Sequence, residues 1–334
     1  MLRFHHAIVD IVVLFLMAVS SAKAQVPAAE TLLADVGYSA DEIAKVKAGT
    51  IVDKKIPGAN ERDLAAAFAF FVGVPPSELV KDLRSGLMLE VDPNTIAFGP
   101  MSAAGSDGDM AKMTLTPGAD KRVKRYLRAK GGDDLNLSTD EIAAFNKLGA
   151  AAAAPAVESQ VRSALLARYQ AYQSKGLAGI ADYDRGDGKT RAVGDELKTS
   201  LQAFKALQKY APGAYTAMLE YPNSKPAGAT DGTRWMHFNA HDVPTLALVH
   251  GMFIPEGDGF VALQRQFYVS EGYNCEQAVA AFLPVQGGTV VLYANHTSSD
   301  QVQGAMGGMK RSIGSKMLSS QLQSLFASIQ KKAK

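Results

Sequence analysis

The chain has 334 residues, of which 35 are Lys or Arg and 33 are Asp or Glu, so its formal net charge is +2. This near balance argues against a strongly basic nucleic-acid binder, and 47% hydrophobic residues argue against a disordered tail protein. The single cysteine excludes an intrachain disulfide scaffold. We therefore expect a local site to select the binding partner, and we predict no nucleic-acid partner.

The first 24 residues have the features of an export signal. Arg3 supplies a positive charge, residues 11–19 form an apolar run, and Ala22-Lys23-Ala24 forms an A-x-A cleavage site. The run is shorter than the ~20 residues that cross a bilayer. We predict a signal peptide at 1–24 and a soluble periplasmic mature chain. Export also disfavours ATP- or NAD-dependent chemistry, and we predict no cofactor.

The elements of the first third alternate between helix and strand. Residues 29–48 have the apolar spacing of one or two short helices, and the strand-like runs 50–56 and 64–74 flank the turn Pro57-Gly58-Ala59-Asn60. The two runs predict a β-hairpin. A proline-initiated helix and a short strand at 95–98 follow.

The second predicted strand is apolar on both faces. Leu64, Ala66, Phe68, Phe70 and Val72 share one face, and Ala65, Ala67, Ala69 and Phe71 share the other. Both faces must therefore be covered by other elements. We expect the C-terminal helix on one face and a helical block on the other.

The rest of the chain divides into a helical block, a set of strands and a final helix. Residues 119–219 are helical in pattern, with a capping box at Ser138 and Glu141. Strands are predicted at 233–239, 245–254, 259–270 and 289–298, joined by short turns that favour an antiparallel meander. A long helix at 301–331 has its apolar positions at Met309, Ile313, Met317, Leu322, Leu325, Phe326 and Ile329.

This order of elements resembles the helix-grip fold of the START-like (SRPBCC) superfamily. The chain is also similar to an uncharacterised group of exported bacterial proteins in the segments Tyr183-Asp184-Arg185-Gly186, Asp195-Glu196-Leu197 and Tyr210-Ala211-Pro212. The resemblance implies an α+β domain at 25–334, with a curved antiparallel sheet gripping a long C-terminal helix and a large helical insertion at about 119–219. It also implies a cavity between sheet and helix, and no catalytic signature.

One charged residue falls within an apolar face of the strand 259–270. Arg265 alternates in phase with Val261, Leu263, Phe267 and Val269. A structural interpretation is that Arg265 forms a buried ion pair or reaches the rim through its alkyl stem. A functional interpretation is that it anchors the carboxylate or phosphate of a ligand. The sequence is compatible with both interpretations.

The first half of the terminal helix is rich in glycine and methionine. Each interior glycine costs about 1 kcal/mol of helix propensity relative to alanine. One interpretation is that the glycines allow the helix to pack closely on the sheet, or that the helix starts late. The other is that they leave room for a ligand, with Met306, Met309 and Met317 as an adaptable apolar wall.

Four histidines follow the predicted signal peptide: His237, His241, His250 and His296. On a strand, the first two would lie about 13 Å apart, too far to share a metal, and we predict no metal site. Cys275 is interpreted as a buried thiol. The segment 182–188 has the wrong register for a calcium loop, and neither a P-loop nor a G-x-S-x-G elbow is present.

These observations favour a protein that binds a hydrophobic or amphipathic small molecule, such as a lipid, with transient membrane contact. The predicted ligand-binding residues are Phe68, Phe70, Trp235, His237, Met252, Arg265, Phe267, Tyr293 and Met309. The alternatives are a hydrolase or isomerase built around His237, His250, His296, Arg265 and Tyr293, or an envelope interaction protein without a ligand. A histidine and a carboxylate that meet at the cavity wall would favour the enzyme.

Overall fold

The structure is a computed structural model that describes residues 27–240, 242–304 and 306–333. The predicted signal peptide and His241 lie outside the described residues. The helices are α1 (Ala29–Asp35), α2 (Ala40–Lys47), α3 (Pro76–Ser85), α4 (Leu87–Val91), α5 (Ala119–Leu127), α6 (Thr139–Lys147), α7 (Ala154–Lys175), α8 (Val193–Ala203), α9 (Lys205–Tyr210), α10 (Pro212–Leu219) and α11 (Gly307–Lys332). The strands are β1 (Val52–Lys54), β2 (Asp63–Val72), β3 (Thr95–Pro100), β4 (Tyr183–Asp184), β5 (Thr190–Arg191), β6 (Thr230–Ala240), β7 (Val243–Glu256), β8 (Gly259–Val269), β9 (Cys275–Val285) and β10 (Gly288–Ser298).

Eight strands form one antiparallel sheet in the order β1-β2-β10-β9-β8-β7-β6-β3. The last five strands of the chain are a meander, because each pairs with the next. β2 pairs with β1 as the predicted hairpin and with β10 from Asp63↔Ser298 to Val72↔Thr289. The predicted α+β class, with one antiparallel sheet and a long C-terminal helix, is confirmed.

The sequence pattern did not predict β9. Its alanines at 278, 280 and 281 have low strand propensity, and Pro284 removes a ladder donor. β9 nevertheless lies inside the sheet, between β8 and β10. The terminal helix also begins later than 301, at Gly307, after a 3₁₀ turn at Asp300–Val302.

The C-terminal helix covers the first face of the sheet. The Phe326 ring stacks on Phe70 at 4.7 Å between centroids and meets Phe68 and Tyr293 edge-on at 5.3 and 4.9 Å. A Cβ added at Gly314 would lie 3.0 Å from the Leu64 side chain. This glycine therefore allows the helix to approach the sheet closely.

The second face is covered by two groups of helices. The helices of the block at 119–219 share a core with β6, β7 and β8, in which Tyr172 of α7 stacks on Phe267 at 4.0 Å. The N-terminal helices α1 and α2 pack near Ala69 of β2. The sequence predicted that the helical block alone would cover this face. The structure shows that the block shares the face with α1 and α2.

Polar contacts fix the helical block to the sheet. Arg185 donates to the side-chain oxygens of Asn136, Asn274 and Asp300. Glu196 of α8 pairs with Arg62 at 2.7 Å, just before β2. Among the described residues, no helix has both the length and the hydropathy needed to cross a bilayer.

We expect Phe326→Ala to destabilise the protein by about 3–5 kcal/mol, because it removes a buried ring that touches three others. Urea unfolding measures the change. Met309→Ala is the matched control: Met309 lies on the same helix but is exposed, so its loss should stay within about 0.5 kcal/mol. Equal effects of the two substitutions would contradict this packing.

Candidate ligand-binding cavity

A cavity of about 720 Å³ lies on the second face of the sheet. Strands β2, β8, β9 and β10 form its floor, and α1, the β1–β2 loop, the end of α8 and α9 form its walls. Its lining is mainly apolar and includes Leu32, Phe204, Val261, Val279 and Leu292. This size and lining are typical of small-molecule sites.

Small side chains on the sheet create this space. Ala67, Ala281 and Ala294 point into the cavity from three adjacent strands. Their neighbours in sequence point to the opposite face, where Phe68 and Tyr293 pack against α11. Alternation along β2 and β10 therefore places the rings of Phe68 and Tyr293 on the first face and the small side chains beside them on the second.

The cavity wall contains a histidine that is held by a carboxylate. His296 Nδ1 lies 2.5 Å from Asp63 Oδ2, and the two residues are only 3% and 5% exposed. The backbone N–H of Ala59 also donates to Asp63, and the Phe204 ring packs edge-on against the imidazole at 4.8 Å. When the carboxylate accepts the Nδ1 proton of a neutral ring, Nε2 becomes a hydrogen-bond acceptor. The ring is thus oriented and has one nitrogen left for a ligand.

Charged residues lie among the lining residues on the helix and loop side. Lys205 is exposed and has no ion pair among the described residues, whereas Lys209 pairs with Asp35 at 2.9 Å. Lys54 donates to the Gly37 carbonyl and pairs with a nearby glutamate. This side of the cavity therefore carries three lysines and one aspartate, a net positive charge.

A row of polar side chains crosses the sheet beside the cavity. His250, Arg265, Gln277 and His296 occupy paired positions on β7, β8, β9 and β10, so they share one face. Arg265 Nε donates to Gln277 Oε1 at 2.9 Å, and Arg265 Nη1 donates to the Tyr172 hydroxyl at 3.2 Å. The buried guanidinium is thus held by an amide and a phenol.

Three buried nitrogens in this row have no hydrogen-bond partner among the described residues. They are Arg265 Nη2, Gln277 Nε2 and His250 Nε2, and the last lies 3.6 Å from an Asp231 oxygen. The Tyr172 hydroxyl also contacts His250 Nδ1 at 2.9 Å, and burial lowers the pKa of His250. The interior of the sheet face next to the cavity is therefore polar and rich in donors.

The residues predicted to bind ligand do not converge on this cavity. Phe68, Phe70 and Tyr293 belong to the packed face under α11, and Met309 is 61% exposed. The remaining predicted residues are buried in the second-face core: Trp235, His237, Met252, Arg265 and Phe267. The cavity also lies away from the sheet–helix interface where the sequence placed it.

His237 and Trp235 have protein partners. Trp235 Nε1 donates to the Asp109 carbonyl at 2.8 Å. His237 Nε2 lies 2.9 Å from Arg122 Nη1, and burial together with this cation lowers the pKa of His237 to about 4. The neutral ring can therefore accept a hydrogen bond from the guanidinium at physiological pH.

The described residues contain no group of three or more His, Cys, Asp or Glu side chains that could hold a metal ion. Cys275 is a buried free thiol, and burial raises its pKa well above its usual value.

Sequence reasoning missed Asp63 and the helices that wall the cavity. Asp63 is 233 residues from His296 in sequence and stands at the start of a strand, where an acidic residue gives no signal of a site. One signal was present: the second face of β2 is lined by alanines opposite a face of phenylalanines. A strand with small side chains on one side is a candidate cavity floor.

Comparisons with known proteins give little guidance. No family model matches the chain, and no curated protein matches it. Among solved structures, TTHA0849 from Thermus thermophilus matches 31% of this chain and 66% of its own at 14% identity, with a TM-score of 0.26. A likeness of this size carries no argument about fold or function.

We expect Gln277→Leu to cost about 2–3 kcal/mol, because it removes the acceptor of a hydrogen bond from a buried guanidinium. Adding Arg265→Met should recover most of this loss, because the double variant no longer buries a charge. Urea unfolding of the wild type, both single variants and the double variant measures the coupling. Simple additivity of the two losses would contradict the contact.

Proposed function

We propose that the protein binds a hydrophobic or amphipathic small molecule in the cavity on the second face of the sheet. The observation that carries this proposal is an apolar-lined space of about 720 Å³ with one oriented polar group, His296, in its wall. Small-molecule sites combine a large apolar surface with a few polar groups that fix the ligand. The face under α11 is instead filled by the rings of Phe68, Phe70, Tyr293 and Phe326.

The lining indicates the kind of ligand. An extended apolar body, such as an acyl chain, fits the alanine-floored space, and a hydroxyl or carboxyl group fits the free nitrogen of His296. Lys205 adds a cation without an ion pair among the described residues, which suits an anionic end group. We infer an amphiphile of the fatty-acid type as the ligand class.

We also propose that the chain is an exported, periplasmic member of the START-like superfamily. The support for the fold is the antiparallel meander followed by a long C-terminal helix packed on the same sheet. The support for export is the A-x-A motif after a short apolar run near the N-terminus. Sequencing the N-terminus of the protein recovered from the periplasm tests export, since retention of Met1 would refute cleavage.

Filling the cavity should weaken binding without unfolding the protein. We expect Ala281→Phe and Ala294→Phe to weaken binding of the fluorescent fatty acid cis-parinaric acid by roughly tenfold or more, because each places a ring in the cavity. Fluorescence titration measures the affinity. Ala143→Phe is the matched control, since it adds the same ring on the outer surface of α6. Wild-type affinity in the filled variants would contradict the proposed site.

The contact between His296 and Asp63 favours a second function, that of an esterase-type hydrolase. A neutral His296 could take a proton from water at Nε2 while the water oxygen attacks an ester carbonyl. The imidazolium could then return that proton to the departing alkoxide, which leaves as the alcohol. Asp63 would hold the tautomer and stabilise the imidazolium that forms. This candidate rests on the one place, among the described residues, where a histidine and a carboxylate meet at the cavity wall.

If the protein is a hydrolase, His296→Gln should lower kcat for a p-nitrophenyl acyl ester by about 10²-fold, and Asp63→Asn should lower it by a similar order. The affinity for cis-parinaric acid should change much less than kcat. His250→Gln is the control, because His250 is buried outside the cavity lining. Release of p-nitrophenolate reports the rate, and no hydrolysis by the wild type would remove this second function while leaving ligand binding intact.

A further inference from the structure

The first half of α11 carries an apolar stripe on its outer side. Met309, Ile313 and Met317 are spaced four residues apart, so they lie on one helix face, and they are 61%, 55% and 48% exposed. Met306, directly before the helix, is 69% exposed. Single exposed apolar side chains are common on protein surfaces, but a continuous row of them marks an interaction site.

This stripe lies opposite the face that packs on the sheet. Leu318, Leu322, Phe326 and Ile329 contact the core, and at 3.6 residues per turn they fall on the far side of the helix from the methionines. The sheet can cover only one of the two sides. The outer side continues past Met317 as Ser320, Ser324 and Ser328, so the apolar surface is confined to the first half of the helix.

The charge on α11 is entirely positive. Between Gly307 and Lys332 the helix has five basic residues and no acidic one. Lys310 and Lys316 border the stripe on either side, and neither has an ion pair among the described residues. Arg311 donates to the backbone carbonyls of Glu61 and Val302. The cations beside the stripe are therefore able to meet an external anionic surface.

We propose that this stripe docks the protein on a membrane surface that carries anionic lipid headgroups. Met309, Ile313 and Met317 enter the boundary between headgroups and acyl chains, and Lys310 and Lys316 meet the phosphates. An apolar face flanked by lysines on a helix too polar to span the bilayer is the pattern of helices that lie in the membrane interface. The proposal is independent of what the cavity binds.

The side of α11 that faces away from the stripe is attached to the β1–β2 loop. Arg311 binds this loop at Glu61, and the same loop lines the cavity through Ile56, Pro57 and Ala59. The helix that meets the bilayer is thus attached to one wall of the cavity.

Vesicle flotation with the purified protein tests the proposal. We expect the wild type to bind vesicles of phosphatidylcholine mixed with phosphatidylglycerol roughly tenfold more tightly than vesicles of phosphatidylcholine alone. The triple variant Met309→Gln, Ile313→Gln, Met317→Gln should lose binding to both. Lys310→Gln with Lys316→Gln should lose the preference for anionic vesicles, and raising the salt concentration should have the same effect.

A control variant removes exposed apolar area elsewhere. Ile96 and Phe98 on edge strand β3 are 37% and 42% exposed, and changing both to Ser should leave vesicle binding unchanged. Equal binding by the wild type and the triple variant would overturn the proposal. So would a stripe-dependent dimer in sedimentation velocity without vesicle binding, because the stripe would then be an interface between two copies.

Discussion

The pairing of β2 with β10 is the contact on which the rest of the structure depends. It joins the first long strand to the last one over ten positions. One end of this pairing places Asp63 beside His296, and its middle places Phe68 and Phe70 where α11 can pack on them. The same strand contributes Ala67 to the cavity floor. Without this pairing the chain would have neither the His–Asp contact nor a closed core under the helix.

The two faces of the sheet use side-chain size in opposite ways. Under α11, large rings interdigitate and exclude solvent, as protein interiors usually do. On the other face, alanines on three adjacent strands meet helices that are held away from the sheet, so the same backbone supports a cavity. Polar contacts such as those between Glu196 and Arg62 fix the helices at the edge of this space. One sheet therefore has a closely packed face under α11 and a face that borders a cavity.

The sequence allowed the hairpin, the meander, the capping box at Ser138 and the burial of Arg265 to be predicted, because each follows from local alternation or a local motif. It did not allow the cavity to be located, because alternation defines two faces without saying which helix covers each. The apolar pattern of α11 likewise does not indicate which of its two apolar sides packs on the sheet. For this reason Met309 was predicted as a ligand contact, whereas the structure leaves it exposed. Gln277 was missed because alanine-rich β9 lacks a strand signature.

The long separation between β2 and β10 has a consequence for how the protein is made. β2 is apolar on both faces and emerges early in synthesis, yet its partner follows more than 200 residues later, as the 233-residue separation of Asp63 and His296 shows. Non-local pairing of this kind makes folding slow, because a long loop must close before the contact forms. During that interval a strand rich in alanine and phenylalanine has an unpaired edge, which is a template for aggregation. The edge of β2 is therefore exposed to aggregation for longer than it would be in a protein of this size whose strands pair locally.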